Sequence, residues 1–270
     1  MSARDLVESG YSDPQQKARF LAAASPHSGD WLSALPITAC SLRLSDEAVR
    51  VAVALRLGCS ICVPHSCRCR SLGLHGLVCK QAPSRINRRH ALNDVVARAV
   101  QSPVTKEPVG LTRLDGRRPD SLTLIPWQEA NLWLGTSPWS TLAASYLSSS
   151  ALSASAAADL AASRKEAKYT SFTKSYIFQP IAVESYGAFS ASALSFLTTL
   201  GERLTGTSSD LREMSYLFQR LSVIVQRFNS VLIHKSFVSA DEEPDLAIPT
   251  FAFSFMFLAL GIFTTEGVKK

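Results

Sequence analysis

Four side chains able to bind a soft metal fall within a short span: Cys67-x-Cys69, then His75 after five residues, then Cys79 after three more. Zinc takes about four sulfur or nitrogen ligands in a tetrahedron, and two short ligand pairs separated by a turn supply such a set. Gly73 and Gly76 flank His75 and let the backbone fold round a small ion. The Cys-x-Cys spacing is tighter than the usual gap, and Cys62 and His65 are spare ligands. The competing reading is a loop of free thiols. Clustered cysteines behind a polar N-terminus with no apolar signal core read as metal ligands rather than disulfides. The protein is therefore expected inside the cell, in nucleus or cytoplasm, with zinc as a structural cofactor.

Arg68, Arg70, Arg85, Arg88 and Arg89, with Lys80, surround this cluster, and the 270-residue chain carries a net charge of +6. A basic rim of this kind suits phosphate contacts, which position a nucleic acid without reading its sequence. The alternative is a solvated charged face. Hydrophobic residues make up 46% of the chain and charged ones 19%, which excludes a wholly disordered chain.

The elements that must hold these groups follow from periodicity and end signals. Residues 1–13 read as disordered and Gln15–Ala24 as a short helix, before a loop at His27–Asp30 and an apolar cluster of Trp31, Leu32 and Leu35. Ser45 is a candidate N-cap for a helix that buries Val49, Val53, Ala54 and Leu57. A second helix opens at His90–Asp94 and runs to about Val100. Val104–Leu111 and Ser121–Trp127 form a hairpin around the turn-rich Arg113–Pro119. Ala151–Lys168 reads as one helix, Tyr176–Val183 as a strand, and Ala191–Leu204 and Leu211–Lys235 as helices. The last of these carries Leu217, Leu221, Val225, Phe228 and Leu232 on one apolar face.

The residue order after the cysteines carries a resemblance. It runs Arg88-Arg89-His90-x-x-Asn93-Asp94, then Lys106-Glu107-Pro108, then Asp115-Gly116-Arg117-Arg118-Pro119-Asp120, then Arg164-Lys165-Glu166-x-Lys168-Tyr169. This resembles the restriction-endonuclease-like domain at the C-terminus of non-long-terminal-repeat retrotransposon polyproteins, where it follows a reverse transcriptase and a Cys-Cys-His-Cys zinc knuckle. The resemblance spans most of residues 18–238, including Ser28–Leu32 and Leu217–Ser222. With no reverse transcriptase in the chain, it reads as a fragment of such a polyprotein. It implies an α/β restriction-endonuclease-like (PD-(D/E)xK-type) core, incomplete here, with a helical N-terminal lead, a small zinc module and C-terminal helices. It also implies an ancestral magnesium-dependent nicking of DNA. In such enzymes carboxylates on neighbouring strands hold the metal, which activates water and stabilises the departing oxygen. The catalytic candidates are then Asp120 as first carboxylate, Glu107 as auxiliary carboxylate, and Lys165 and Lys168 as the lysine that stabilises charge.

The family's second aspartate, on a strand typically reading Trp-Asp-Val-Thr-Val, is absent. No acidic residue stands between Glu129 and Asp159, and the region reads Leu134-Gly135-Thr136-Ser137-Pro138-Trp139. The Ser-Pro pair argues against a central strand. The nucleotide string CTTGGGACGTCACCGTGG encodes those six residues in one frame and Trp-Asp-Val-Thr-Val when shifted by two. Residues from about 129 to 139 are therefore expected to be an out-of-frame translation of the lost strand. The knuckle departs too, because Arg70–Leu74 is a shorter Cys-to-His interval than the family's.

Residues 246–265 hold no charge, and as a helix would span roughly 30 Å, about one hydrocarbon core. Pro249, Gly261 and the hydroxyl residues dilute the run, and alternating Phe251, Phe253, Phe255 and Phe257 suit a strand equally. The expected organisation is a disordered start and helical lead (1–57), a zinc-knuckle module (58–89), an endonuclease-like domain disrupted at 129–139 (90–238), and an acidic break with an apolar tail (239–270). The expected partner is nucleic acid, DNA before RNA, and cleavage is expected to be impaired. A zinc-dependent binding module without activity and a membrane protein anchored through 246–265 are the alternatives.

Overall fold

The computed structural model describes residues 10–61, 73–78, 84–106, 108, 120–127, 131–139, 141, 143–169 and 176–236. Its centre is a four-stranded mixed sheet of β1 (Val104–Lys106), β2 (Ser121–Thr123), β3 (Asn131–Trp139) and β4 (Tyr176–Glu184), in that spatial order. The β1–β2 and β2–β3 pairs are antiparallel, whereas β3 and β4 are parallel along all nine residue pairs, from Asn131↔Tyr176 to Trp139↔Glu184. A parallel pair needs a long crossover. Here it contains α4 (Leu147–Ser150) and α5 (Ala156–Tyr169).

Side chains alternate across the sheet, and the two faces differ. Leu132, Leu134, Ile181 and Val183 are buried on one face against α3 (Arg85–Ala99), α6 (Ala191–Ser208) and α7 (Glu213–His234). On the other face Ala182 packs against Ala158, Ala161 and Ala162 of α5, and Leu122 joins Tyr169 and Phe178. The result is a mixed α/β layer structure with helices on both faces. On α7, Leu217, Leu221, Val225 and Leu232 are buried as the periodicity predicts, with Phe228 half-buried.

Of two N-terminal helices, the second packs along α7 and the first lies against the second and against α4. α1 (Pro14–Ala23) starts where the Asp13 side chain accepts from the Gln15 backbone N–H at 3.0 Å. α2 (Asp46–Leu57) starts where Ser45 Oγ accepts from the Ala48 N–H at 3.2 Å, with Asp46 and Glu47 in its first turn. The buried stripe on α2 is Ala48, Val51, Ala52, Ala54 and Leu55, not the expected Val49, Val53, Ala54 and Leu57. Leu57 is exposed, since the small Ala48 and Ala52 allow the close approach. The expected cluster of Trp31, Leu32 and Leu35 also fails: Trp31 is buried with Leu42, Ala52 and Val223, while the two leucines face solvent.

Two motifs far apart in sequence meet at this corner. The Trp31 N–H donates to Ser222 Oγ at 3.2 Å, and the His27 ring stacks on Phe218 at 3.6 Å between centroids. The Ser28–Leu32 and Leu217–Ser222 segments thus form one packing unit.

Three further expectations change. α3 begins at Arg85, five residues before His90, so Arg85, Arg88 and Arg89 stand in a helix rather than in the cysteine-rich module. The expected helix over 151–168 is broken: α4 ends at Ser150, and α5 starts at Ala156 after Ser155 adopts a left-handed φ of 64°. Most consequentially, 131–139 is a central strand despite Ser137-Pro138. Leu132 and Leu134 have the period-two burial that a strand needs. Among the described residues the β2 pairing ends at Leu134, so Pro138 lies where β3 is paired only with β4, a setting that tolerates a missing N–H donor.

Glu184, at the end of β4, ties the crossover down. It is 1% exposed; its Oε1 accepts from the N–H groups of Ala157 and Ala158 at 3.0 and 3.2 Å, and its Oε2 accepts from Thr141 Oγ1 at 2.6 Å. A carboxylate there complements the N-terminus of α5. Burial pushes its pKa up, opposed by those three hydrogen bonds. Asp159 of α5 repeats the device, accepting from the Ala191 N–H at the start of α6 at 2.7 Å.

Gly76, in the 3-10 turn Gly73–Leu77, lies so close to the end of α7 that a Cβ would sit 2.9 Å from the Leu232 carbonyl oxygen and 3.0 Å from Ser236 Cβ. Gly206 on α6 would meet nothing within 4 Å. Gly76→Ala should lower stability by about 1–3 kcal/mol through overpacking. Gly206→Ala should raise it by about 0.5–1 kcal/mol through helix propensity. Urea unfolding of both variants checks the pair, and an unchanged Gly76→Ala midpoint would refute the close packing.

Candidate functional site

Among the described residues, charged groups meet across the α5 face of the sheet. Asp120 immediately precedes β2 and shares the side of the sheet that carries Leu122. It is 13% exposed. The antiparallel register pairs Ser121 with Leu134, and one further step sets Asp120 opposite Gly135. Lys165 comes down from α5: its Nζ is 3.5 Å from Asp120 Oδ2, and would be 3.3 Å from a Cβ at position 135. Arg89 arrives from the first turns of α3, with Nε 3.6 Å from Asp120 Oδ1. The backbone beneath is pinned by Asn93, whose Nδ2 donates to the Asp120 carbonyl at 3.5 Å and whose Oδ1 accepts from Ser121 Oγ at 2.9 Å.

Sequence reasoning named Asp120 and Lys165 as catalytic and Arg89 as a nucleic-acid contact, and the fold brings these three together. Lys168, one turn further along α5, is exposed and makes no bond to Asp120; its charge helps to lower the Lys165 pKa. Arg85 is half-buried at the start of α3. Glu107, Cys67, Cys69, Cys79, Arg68 and Arg70 lie outside the described residues. The backbone of His75 lies in the Gly73–Leu77 turn. The importance of Gly76 just beyond is explained by its contact with α7, whatever the turn holds.

Arg88 is a correction. It was expected on a phosphate-binding rim, but it is 1% exposed and points into the interface of α3 with α7. Its Nη1 donates to Asn229 Oδ1 at 3.3 Å, and Asn229 Nδ2 in turn donates to the Ser185 carbonyl at 2.7 Å. Its Nε has no hydrogen-bond partner. Burial, with Arg85 adding repulsion, pushes its pKa down to about 10. The helical phase of α3 dictates this placement, since Arg88 shares a face with Leu92 and Val96.

Gly135 was missed as a site residue. A Cβ there would lie 2.9 Å from two atoms of the Phe178 ring as well as close to Lys165. The signal was the register: once β2 and β3 pair, the residue facing Asp120 is found by counting. Asn93 was visible only within the motif on α3, and its role as a clamp on the Asp120 backbone needed the three-dimensional contact.

A divalent magnesium ion takes oxygen ligands, commonly from one or two carboxylates and several waters. Among the described residues, Asp120 is in contact with two cations, Arg89 and Lys165, and no group of three or more His, Cys, Asp or Glu could hold a metal. These cations set a positive field around the carboxylate.

Burial lowers the Lys165 pKa, and the Asp120 charge and hydrogen bond partly restore it. Such a lysine costs the folded state stability below its folded pKa, and that cost is relieved as pH rises from there towards 10.5. Asp120→Asn should lower the Lys165 pKa further. Methyl-lysine NMR titration checks this, and a shift upward would contradict the pairing. At Arg88, Arg88→Met keeps the volume and removes a buried charge, so it should cost less than about 1 kcal/mol or stabilise. Arg88→Ala should cost about 2–5 kcal/mol through the cavity. Thermal unfolding distinguishes the two.

No family model and no curated protein matches the chain.

Proposed function

We propose that this chain is a retrotransposon-derived, endonuclease-like region that binds nucleic acid and has little or no cleavage activity. The observation that carries this reading is the approach of Lys165 to Asp120, at 3.5 Å, beside Gly135 of β3, where an added Cβ would lie 3.3 Å from its Nζ. In the resembled family the first carboxylate, a second carboxylate on the next strand and a lysine converge at one place. Here the first and the lysine converge, and the position facing Asp120 is a glycine packed under an aromatic ring. Losing a metal-binding carboxylate should cost orders of magnitude in rate, so no catalytic step is assigned to this site. An out-of-frame reading of the strand accounts for the missing aspartate, whose codon in that string overlaps those of Gly135 and Thr136. The strand survives because its substitute peptide still alternates Leu132 and Leu134 towards the core.

Nucleic-acid binding is supported by the charge arrangement. The first turn of α3 holds no acid, and Arg85 and Arg89 stand at that end, adding to the positive end of the helix dipole. A zinc knuckle formed by Cys67, Cys69, His75 and Cys79 would extend this basic surface. DNA is the proposed partner before RNA. The alternative anchor at 246–265 lies outside the described residues; among those described, no helix is long and apolar enough to cross a membrane.

A plasmid-nicking assay with magnesium or manganese, run beside a binding assay at graded salt, tests the proposal. The expected result is salt-dependent DNA binding with no nicking above the buffer control. Nicking abolished by Asp120→Ala would show an intact nuclease and overturn the impairment. Nicking that survives Asp120→Ala would remove the site altogether. Codons 129–140 of the gene should read Trp-Asp-Val-Thr-Val in an alternate frame, and a nucleotide sequence without that reading would eliminate the frameshift.

A further inference from the structure

On the opposite side of α3 from Asp120, a groove of about 440 Å³ runs between α3, α7 and the 3-10 turn Thr38–Cys40. Three arginines line it: Arg98 from α3, and Arg220 and Arg227 one heptad apart on α7, so that they project on the same side. Arg227 Nη2 donates to the carbonyl oxygens of Ser41 and Arg43 at 2.8 and 3.0 Å, which fastens the turn to α7 and holds its guanidinium at the groove wall. Arg98 and Arg220 are exposed, and no carboxylate among the described residues pairs with either. Among the described residues, the acid that lines the groove is Asp94, and it is ion-paired with Lys106 at 2.7 Å. Between the arginines lies an apolar strip that includes Ile224 and the half-buried Phe228. The groove is thus positive along its walls and apolar at the base, with an aromatic ring available.

We propose that this groove binds single-stranded nucleic acid, with backbone phosphates on Arg98, Arg220 and Arg227 and a base against Phe228. Cationic walls supply the electrostatic attraction to a phosphodiester chain, and an aromatic platform supplies stacking that only an unpaired base can use. The volume lies within the range of small-ligand sites, enough for a nucleotide unit. None of the groove arginines touches Asp120, so the site stands independently of the nuclease reading.

Fluorescence anisotropy of the full chain with a labelled oligothymidylate, at several salt concentrations, tests it. Arg98→Gln with Arg220→Gln should weaken binding about tenfold or more and reduce the salt slope by about 1.4, from roughly 0.7 per phosphate contact on a single strand. A control that removes the same charge elsewhere, Arg50→Gln with Arg212→Gln, should have a several-fold smaller effect. Phe228→Leu should weaken the single-strand complex severalfold with no change in slope. Saturating oligothymidylate should also slow maleimide labelling of the exposed Cys40, read by peptide mass spectrometry, because Cys40 lines the groove. Equal losses for the two double variants would overturn the groove as the site. Duplex binding as tight as single-strand binding, with no effect of Phe228→Leu, would overturn the single-strand assignment. If Arg89→Gln and Lys165→Met abolish binding while the groove variants do not, the Asp120 region is the nucleic-acid surface and the groove is not.

Discussion

The parallel ladder between β3 and β4 is the constraint on which the rest of the molecule depends. Nine consecutive pairs commit the chain to a crossover, and the crossover helix α5 must then lie over one face of the sheet. That brings Lys165 above β3 and beside Asp120, at the start of β2. The same ladder directs Leu132, Leu134, Ile181 and Val183 to the opposite face, where α3, α6 and α7 close the main core. Glu184 at its far end satisfies the first N–H groups of α5, so the crossover is anchored by the strand it serves.

Charge is distributed around that frame unevenly. The cations near Asp120, the basic start of α3 and the arginines of the α3–α7 groove leave much of this helix in a positive field, while the buried Arg88 donates to the Asn229 amide oxygen. Burying a guanidinium without a carboxylate is expensive. Its retention on a helix whose other arginines reach the surface reflects helical phase, because the residues four before and after a core leucine share its face.

Much of the fold was legible. The cap at Ser45 and the stripe on α7 are local features, and both appear where the side chains predict. The nearness of Asp120 and Lys165 was expected from the motif order, whereas Arg89 was expected on the basic rim and its approach to Asp120 was not. The strand at 131–139 was misjudged because Ser137-Pro138 was weighed as though both edges of the strand were paired throughout; partial pairing on the β2 side removes that objection. The stripe on α2 was misassigned because size decided it: alanines let the helices approach, and the longer Leu57 was left outside.

By itself the sequence determined the cap at Ser45 and the apolar face of α7, that the chain is basic, and which residue types with metal-binding or charge-stabilising chemistry it holds. Those follow from short-range rules: spacing, capping and composition. Tertiary structure alone decided that Arg88 is a core residue and that Gly135 faces Asp120. It also decided that the Phe178 ring lies against Gly135, where a Cβ would be 2.9 Å from it, and that arginines from two helices share one groove. Each of these depends on the register and phase of elements distant in the chain. Such relationships are set by how apolar faces pack together, and no local pattern encodes them.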